Sequence, residues 1–106
     1  MKFSVLVVDD DKLVNEMLQE TLQRAGYDCQ AAYSGEEAMA AFNERTYDIV
    51  LTDLKMKSMD GITLLKNVKK ASADTVVILM TAYGTIETAV KAIKLGAYDF
   101  LIKPVL

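Results

Sequence analysis

The sequence predicts an α/β domain built on a parallel sheet with helices against its faces. Three observations carry the prediction. Short apolar runs alternate with amphipathic stretches along the whole chain. Most of these runs are continuously apolar, as in strands covered on both faces, rather than alternating apolar and polar. No linker, low-complexity tract or repeat breaks the alternation. With 106 residues, the chain makes one domain with a real core.

The first strand candidate is Ser4–Val8. A helix over Lys12–Ala25 follows, with Val14, Met17, Leu18, Thr21, Leu22 and Ala25 on one face and Gly26 to stop it. Asp11 immediately precedes that helix, where a carboxylate caps free N–H groups and faces the positive end of the dipole. The second strand is Cys29–Ala32, and the second helix opens with the capping-box spacing of Ser34-Gly35-Glu36-Glu37 and buries Ala38, Ala41 and Phe42. Ile49–Thr52 is the third strand. The third helix follows Asp60-Gly61, with Asp60 as its cap, and carries Ile62, Leu65 and Val68. Val76–Met80 is the fourth strand; the fourth helix starts near Thr85, carries Ile86, Ala89, Val90 and Ile93, and ends at Gly96. Phe100–Ile102 closes the series. Such repetition argues for right-handed crossovers between parallel strands. The expected arrangement is the flavodoxin-like order 2-1-3-4-5, which puts its topological switch point, where ligands bind, between strands 1 and 3.

Composition narrows the function. Apolar residues make up 52% and charged residues 25%, a globular balance. No apolar stretch reaches membrane-spanning length and the N-terminus has no secretory pattern, so a cytoplasmic protein is expected. The single Cys29 reads as a small core residue. The absence of histidine removes histidine-dependent triads, histidine-ligated zinc and internal phosphohistidine. Net charge is −3 with scattered lysines, which gives no support to direct nucleic-acid binding. Lys66, Lys69, Lys70, Lys91 and Lys94 read as solvent faces of helices. Met56 and Met59 flank a loop, either as a partner surface or as packing beneath it.

Three carboxylates stand at strand ends: Asp9 and Asp10 after the first, Asp53 after the third. Desolvation and mutual repulsion oppose their ionisation unless a partner is present. If those strands are neighbours, the natural guest is a hard divalent cation, Mg²⁺. Thr81 and Lys103 end the fourth and fifth strands, so all five residues belong on one edge of the sheet. Three carboxylates suit a cation, and one of them can attack phosphorus. A hydroxyl and an ammonium group opposite them suit phosphoryl oxygens. Alone, Lys103 is a solvated lysine and Thr81 a turn residue; the joint pattern gives them weight.

Four ordered motifs make the pattern specific: Val7-Val8-Asp9-Asp10-Asp11; Asp53-Leu54-Lys55-Met56 with Met59-Asp60-Gly61; Met80-Thr81-Ala82-Tyr83-Gly84; and Asp99-Phe100-Leu101-Ile102-Lys103-Pro104. Together they resemble a bacterial two-component response-regulator receiver domain from residue 3 to the end. Tyr83-Gly84-Thr85-Ile86-Glu87-Thr88-Ala89-Val90 and Leu95-Gly96-Ala97-Tyr98-Asp99-Phe100 are similar to receivers of the nitrogen-regulator class of transcription activators. The resemblance implies Asp53 as phosphoacceptor, Mg²⁺ on Asp10, Asp53 and the Lys55 carbonyl with Asp9 acting through water, Thr81 and Lys103 on the phosphoryl group, and Phe100 as a switch aromatic. It implies a sensor histidine kinase or phosphotransfer protein as donor, an output domain as target, dimerisation as one form of output, and no enzymatic turnover beyond self-phosphorylation and autodephosphorylation. It also implies a cis Lys103–Pro104 bond and places Lys55 and Tyr83 where phosphate lifetime is tuned. Two departures stand out. Lys57 occupies the usual place of a proline, which implies a freer loop, and Phe100 lacks the hydroxyl of a tyrosine, which leaves its rotamer to packing alone.

The rival readings are an Mg²⁺-dependent phosphohydrolase using Asp53 for turnover, a flavin-binding module, and a pseudo-receiver working by contact alone. Against the first, the chain offers no evident substrate cap or second acid–base group; against the second, the turn after strand 1 is acidic rather than rich in hydroxyls and glycines. The chain stops right after the fifth strand, where a further helix is expected. Leaving about five apolar side chains bare forgoes roughly 7–15 kcal/mol of burial. The expectation is therefore a domain cut before its final helix, or one whose bare face another chain covers.

Overall fold

The structure, a computed structural model, describes residues 2–82 and 84–103. Its elements run β1 (Ser4–Val8), α1 (Lys12–Arg24), β2 (Asp28–Ala32), α2 (Gly35–Glu44), β3 (Ile49–Asp53), α3 (Gly61–Ala71), β4 (Val76–Thr81), α4 (Ile86–Lys94) and β5 (Asp99–Ile102). All four strand pairings are parallel, in the order β2-β1-β3-β4-β5, as the sequence predicts. β2 and β5 each begin one residue earlier than predicted, at Asp28 and Asp99, and β3 and β4 each end one residue later. Asp53 pairs with Met80 and Thr81 with Ile102, so both polar residues are held in the sheet ladder itself. The expected bond to Pro104, and Tyr83, lie outside the described residues.

Alternation along the strands divides the core. Leu6, Val8, Val50, Val77 and Leu79 pack with Ala38 and Phe42 of α2, Leu64, Leu65 and Val68 of α3, and Ala92 of α4. Val5, Val7, Leu51 and Met80 face the other way, against Leu18 and Leu22 of α1. The second layer is thinner. One helix meets the sheet along a narrow stripe, so Val14, Leu18 and Leu22 are half-buried while Met17, Thr21 and Ala25, expected on the same face, are exposed. An apolar groove runs beside α1, lined by Val14, Met17, Leu18, Met80 and Ala82, with Lys103 at its end.

The remaining helix surfaces are mixed. The apolar stripe of α4 points outward, with Ile86 84% exposed and Val90 and Ile93 nearly half exposed. That helix reaches the core through Ala92, whose small side chain permits close approach. Lys69 is not a free solvent residue, because its ammonium donates to the carbonyls of Ala73 and Thr75 at 2.9 and 2.8 Å and ties the end of α3 to the turn that leads into β4. Met56 and Met59 pack against the core, which settles them as packing beneath the loop. The caps form as read. Asp11 accepts from Leu13 and Val14 N–H, Asp60 from Thr63 N–H, and Ser34 from Glu37 N–H.

The buried polar centre of α1 is Asn15, fully enclosed and outside the apolar stripe. Its amide donates to the carbonyls of Val7, Asp9 and Ala32 at 3.0–3.2 Å, joining the ends of β1 and β2 to the helix. Its own carbonyl accepts from Gln19 at 2.9 Å. The Ala32 carbonyl also accepts from Asp9 N–H at 3.2 Å, and Asn15 adds donors at a point where a buried carbonyl left short of partners is costly. Asn15→Ala is expected to cost about 1–3 kcal/mol, read as a Tm lower by roughly 4 °C or more. An unchanged Tm would contradict this role.

Candidate functional site

Because β1 and β3 are adjacent and parallel, their C-terminal ends bring the acidic residues together. Carboxylate oxygens of Asp9, Asp10 and Asp53 all lie within 4.8 Å of one another. Asp9 is fully buried, Asp53 nearly so, and Asp10 is the most open of the three. One Asp9 oxygen accepts from Asp11 N–H at 3.0 Å. The other accepts from the Lys103 ammonium at 2.9 Å, and the same ammonium stands 3.4 Å from Asp53. Lys103 thus crosses from the end of β5 to bridge two carboxylates.

Thr81, at the end of β4 beside Asp53, is buried. Its carbonyl accepts from Lys103 N–H at 2.8 Å, which aligns the two predicted phosphoryl contacts on neighbouring strands. Phe100 is half-buried against the main core and pairs with Leu79. A Cβ built on Gly84 would meet the Ile102 side chain first, then the Phe100 ring at 3.0 Å and the Thr81 methyl group at 3.4 Å, so the Gly84 backbone lies beside all three residues. The Lys55 side chain is exposed in the loop after β3. That loop returns through Gly61, whose N–H donates to the Leu54 carbonyl at 2.8 Å. A Cβ on Gly61 would meet the Asp53 carbonyl at 2.5 Å, and backbone cannot move aside as a side chain can. Glycine therefore lets α3 start directly against Asp53.

Charge explains the titration. Burial raises the Asp53 pKa, the negative charge of Asp9 raises it further, and Lys103 offsets part of this. Burial works against the Lys103 ammonium, but Asp9 and Asp53 outweigh it and hold its pKa above the ordinary lysine value. The donor set fits a small hard cation, since it consists of carboxylate oxygens close enough to share one ion. Asp9, Asp10, Asp53 and Lys103 form one charge cluster, Thr81 joins it through the sheet, and Phe100, on the neighbouring strand, packs against the main core. The sequence reasoning did not find Asn15, which fixes the ends of the strands that lead to Asp9; a lone polar residue beside an apolar stripe was its only signal.

The family model for the response regulator receiver domain matches residues 5–106. The chain belongs to that family. Among curated relatives, this receiver is 46% identical over 103 residues to the transcriptional regulatory protein ZraR of Salmonella typhimurium, covering 97% of this chain and 23% of that protein. It is 41% identical over 100 residues to the DNA-binding transcriptional regulator NtrC of the same species, covering 94% of this chain and 21% of that protein. Among solved structures, the Vibrio cholerae chemotaxis protein CheY4 matches with a TM-score of 0.94 at 30% identity, covering all of this chain and 90% of that one. NtrX of Brucella abortus matches with a TM-score of 0.91 at 36% identity, covering 99% of this chain and 24% of that one. The receiver thus spans under a quarter of the ZraR and NtrC relatives. No helix among its described residues is long and apolar enough to cross a membrane.

The raised Asp53 pKa has a stability consequence in metal-free protein. The folded state holds that proton more tightly than the unfolded chain, so stability declines as pH rises above the ordinary carboxylate range. Asp53→Asn is expected to raise Tm at neutral pH, with the gap closing as pH falls into that range. A gap independent of pH in thermal melts would contradict the assignment.

Proposed function

We propose that this receiver is a phosphorylation-controlled signalling switch in which Asp53 accepts a phosphoryl group from a partner's phosphohistidine. One observation carries the reading: three carboxylates share a pocket in which a lysine ammonium bridges Asp9 and Asp53. Asp9, Asp10, Asp53 and the carbonyl of Lys55 would hold Mg²⁺. When bound, the ion supplies positive charge against phosphoryl oxygens during transfer and offsets repulsion among the acids.

The Asp53 carboxylate oxygen attacks phosphorus, the P–N bond to the donor imidazole breaks, and its electron pair stays on the imidazole nitrogen. Since the domain has no histidine, the phosphohistidine lies outside it, on a sensor histidine kinase or a phosphotransfer protein. The acyl phosphate adds charge and acceptor oxygens, which Lys103 pairs with and Thr81 hydrogen-bonds. Gly84 lies against Thr81 and Phe100, so a shift of Thr81 toward phosphate is felt by the loop and the aromatic. Phosphorylation biases a two-state equilibrium by its differential contacts. The exposed Ile86, Val90 and Ile93 of α4, with Ile102 of β5, form the surface on which that bias is read, through a dimer or an output domain. Resemblance to ZraR and NtrC supports transcription as the regulated process and the cytoplasm as its place. Self-phosphorylation and autodephosphorylation are the only chemistry assigned.

Incubation with acetyl phosphate and Mg²⁺ is expected to add one phosphoryl group by intact mass, and Asp53→Asn or a chelator to abolish it. An adduct that survives Asp53→Asn would overturn the site. Lys103→Met is expected to slow phosphorylation by about 10²–10³-fold, as for loss of one preorganised charge donor. Thr81→Ala is expected to accept phosphate yet lose most of the shifts at Gly84 and Phe100 in amide spectra. Full shifts in that variant would remove Thr81 from the switch.

A further inference from the structure

The loop joining β3 to α3 carries Lys55, and backbone hydrogen bonds fix both of its ends. Leu54 N–H donates to the Met80 carbonyl and Gly61 N–H to the Leu54 carbonyl, each at 2.8 Å. Between these ends there is no proline to narrow the backbone, so restraint has to come from side chains. Met56 packs against the core, and three further contacts hold the Ser58–Met59 part. The Ser58 hydroxyl donates to the Glu36 carboxylate in the first turn of α2. Met59 sits against Gly35, where a Cβ would come within 2.7 Å of its Cβ and 2.8 Å of its sulfur. The Asn67 amide of α3 donates to the Met59 sulfur at 3.7 Å. The Ser58 hydroxyl is also the main reason that the Glu36 carboxyl is held below its ordinary pKa. None of these groups belongs to the acidic cluster.

We propose that Ser58, Glu36 and Met59, seated on Gly35, form a latch that holds the Lys55 carbonyl in place as a metal ligand and so sets the affinity of the domain for Mg²⁺. The proposal rests on the reading above that this carbonyl completes the metal site. A peptide carbonyl binds a cation tightly only if its loop is already ordered; a freed loop adds its ordering entropy to the binding step. Ser58 and Glu36 are exposed, so their removal leaves the core intact. They are positioning residues, acting on the site through the loop.

The test uses the chain as it stands, with Ser58→Ala, Glu36→Ala and their double variant. Hydrogen exchange of amides 55–59 in metal-free protein and Mg²⁺ titration calorimetry are the two readouts. Loop exchange is expected to quicken, and Mg²⁺ affinity to fall about tenfold, the lower end of what loss of a metal ligand's supporting contact costs. Tm and the acetyl phosphate rate at saturating Mg²⁺ should stay near wild type. Ser58→Thr, which keeps the hydroxyl, should restore affinity. Gly35→Ala should weaken it without changing any charge, because the new methyl group displaces Met59. Unchanged loop exchange in the double variant, or faster exchange with unchanged affinity, would overturn the latch. Wild-type protein that binds no Mg²⁺ would overturn the metal reading and with it the role of the latch, an outcome distinct from wild type and variants binding equally.

Discussion

The ammonium of Lys103, shared between Asp9 and Asp53, is the contact on which the site depends. Burial and the neighbouring Asp9 charge both push a proton onto Asp53. A cation at 2.9 Å from Asp9 and 3.4 Å from Asp53 counters both effects within the pocket. Removing one partner of such a buried group leaves an uncompensated charge, which makes the whole arrangement interdependent. The compensation is incomplete, as the raised Asp53 pKa indicates. That residual excess of negative charge is what a divalent cation would answer.

The sheet makes this contact possible at little local cost. Parallel pairing puts every C-terminal strand end on one edge, and the order β2-β1-β3-β4-β5 sets β1 beside β3. Asn15 ties the ends of β1 and β2, Gly61 brings α3 up to the Asp53 backbone, and the Lys103 N–H bond to Thr81 extends β5 past its last pair. Each device fixes backbone rather than side chain. The functional groups are thus aimed from rigid supports, the condition under which charge placement is most effective.

Much of this was legible in the sequence because strand periodicity and polar residues at strand ends report on the same geometry. Asp9, Asp10, Asp53 and Lys103 were assigned to one cleft from spacing and topology, and they meet there. What escaped has identifiable causes. Periodicity finds apolar stripes but not which stripe meets the core, so α4 was recognised as a helix while its Ile86, Val90 and Ile93 face turned out to be exposed. Asn15 carries no apolar signal, and its burial follows from carbonyls at the ends of the paired strands β1 and β2. Lys69 looked like surface charge because its acceptors lie beyond the end of its own helix. The Ser58–Glu36 contact joins residues 22 apart, in elements that no local rule pairs.

The lysine that neutralises the pocket and the aspartate it bonds are separated by 94 positions. The acids come from the first half of the polypeptide, and their counter-charge arrives with the last strand. No single strand–helix unit holds both the acids and their counter-charge, so the balance of the pocket is a property of the whole sheet.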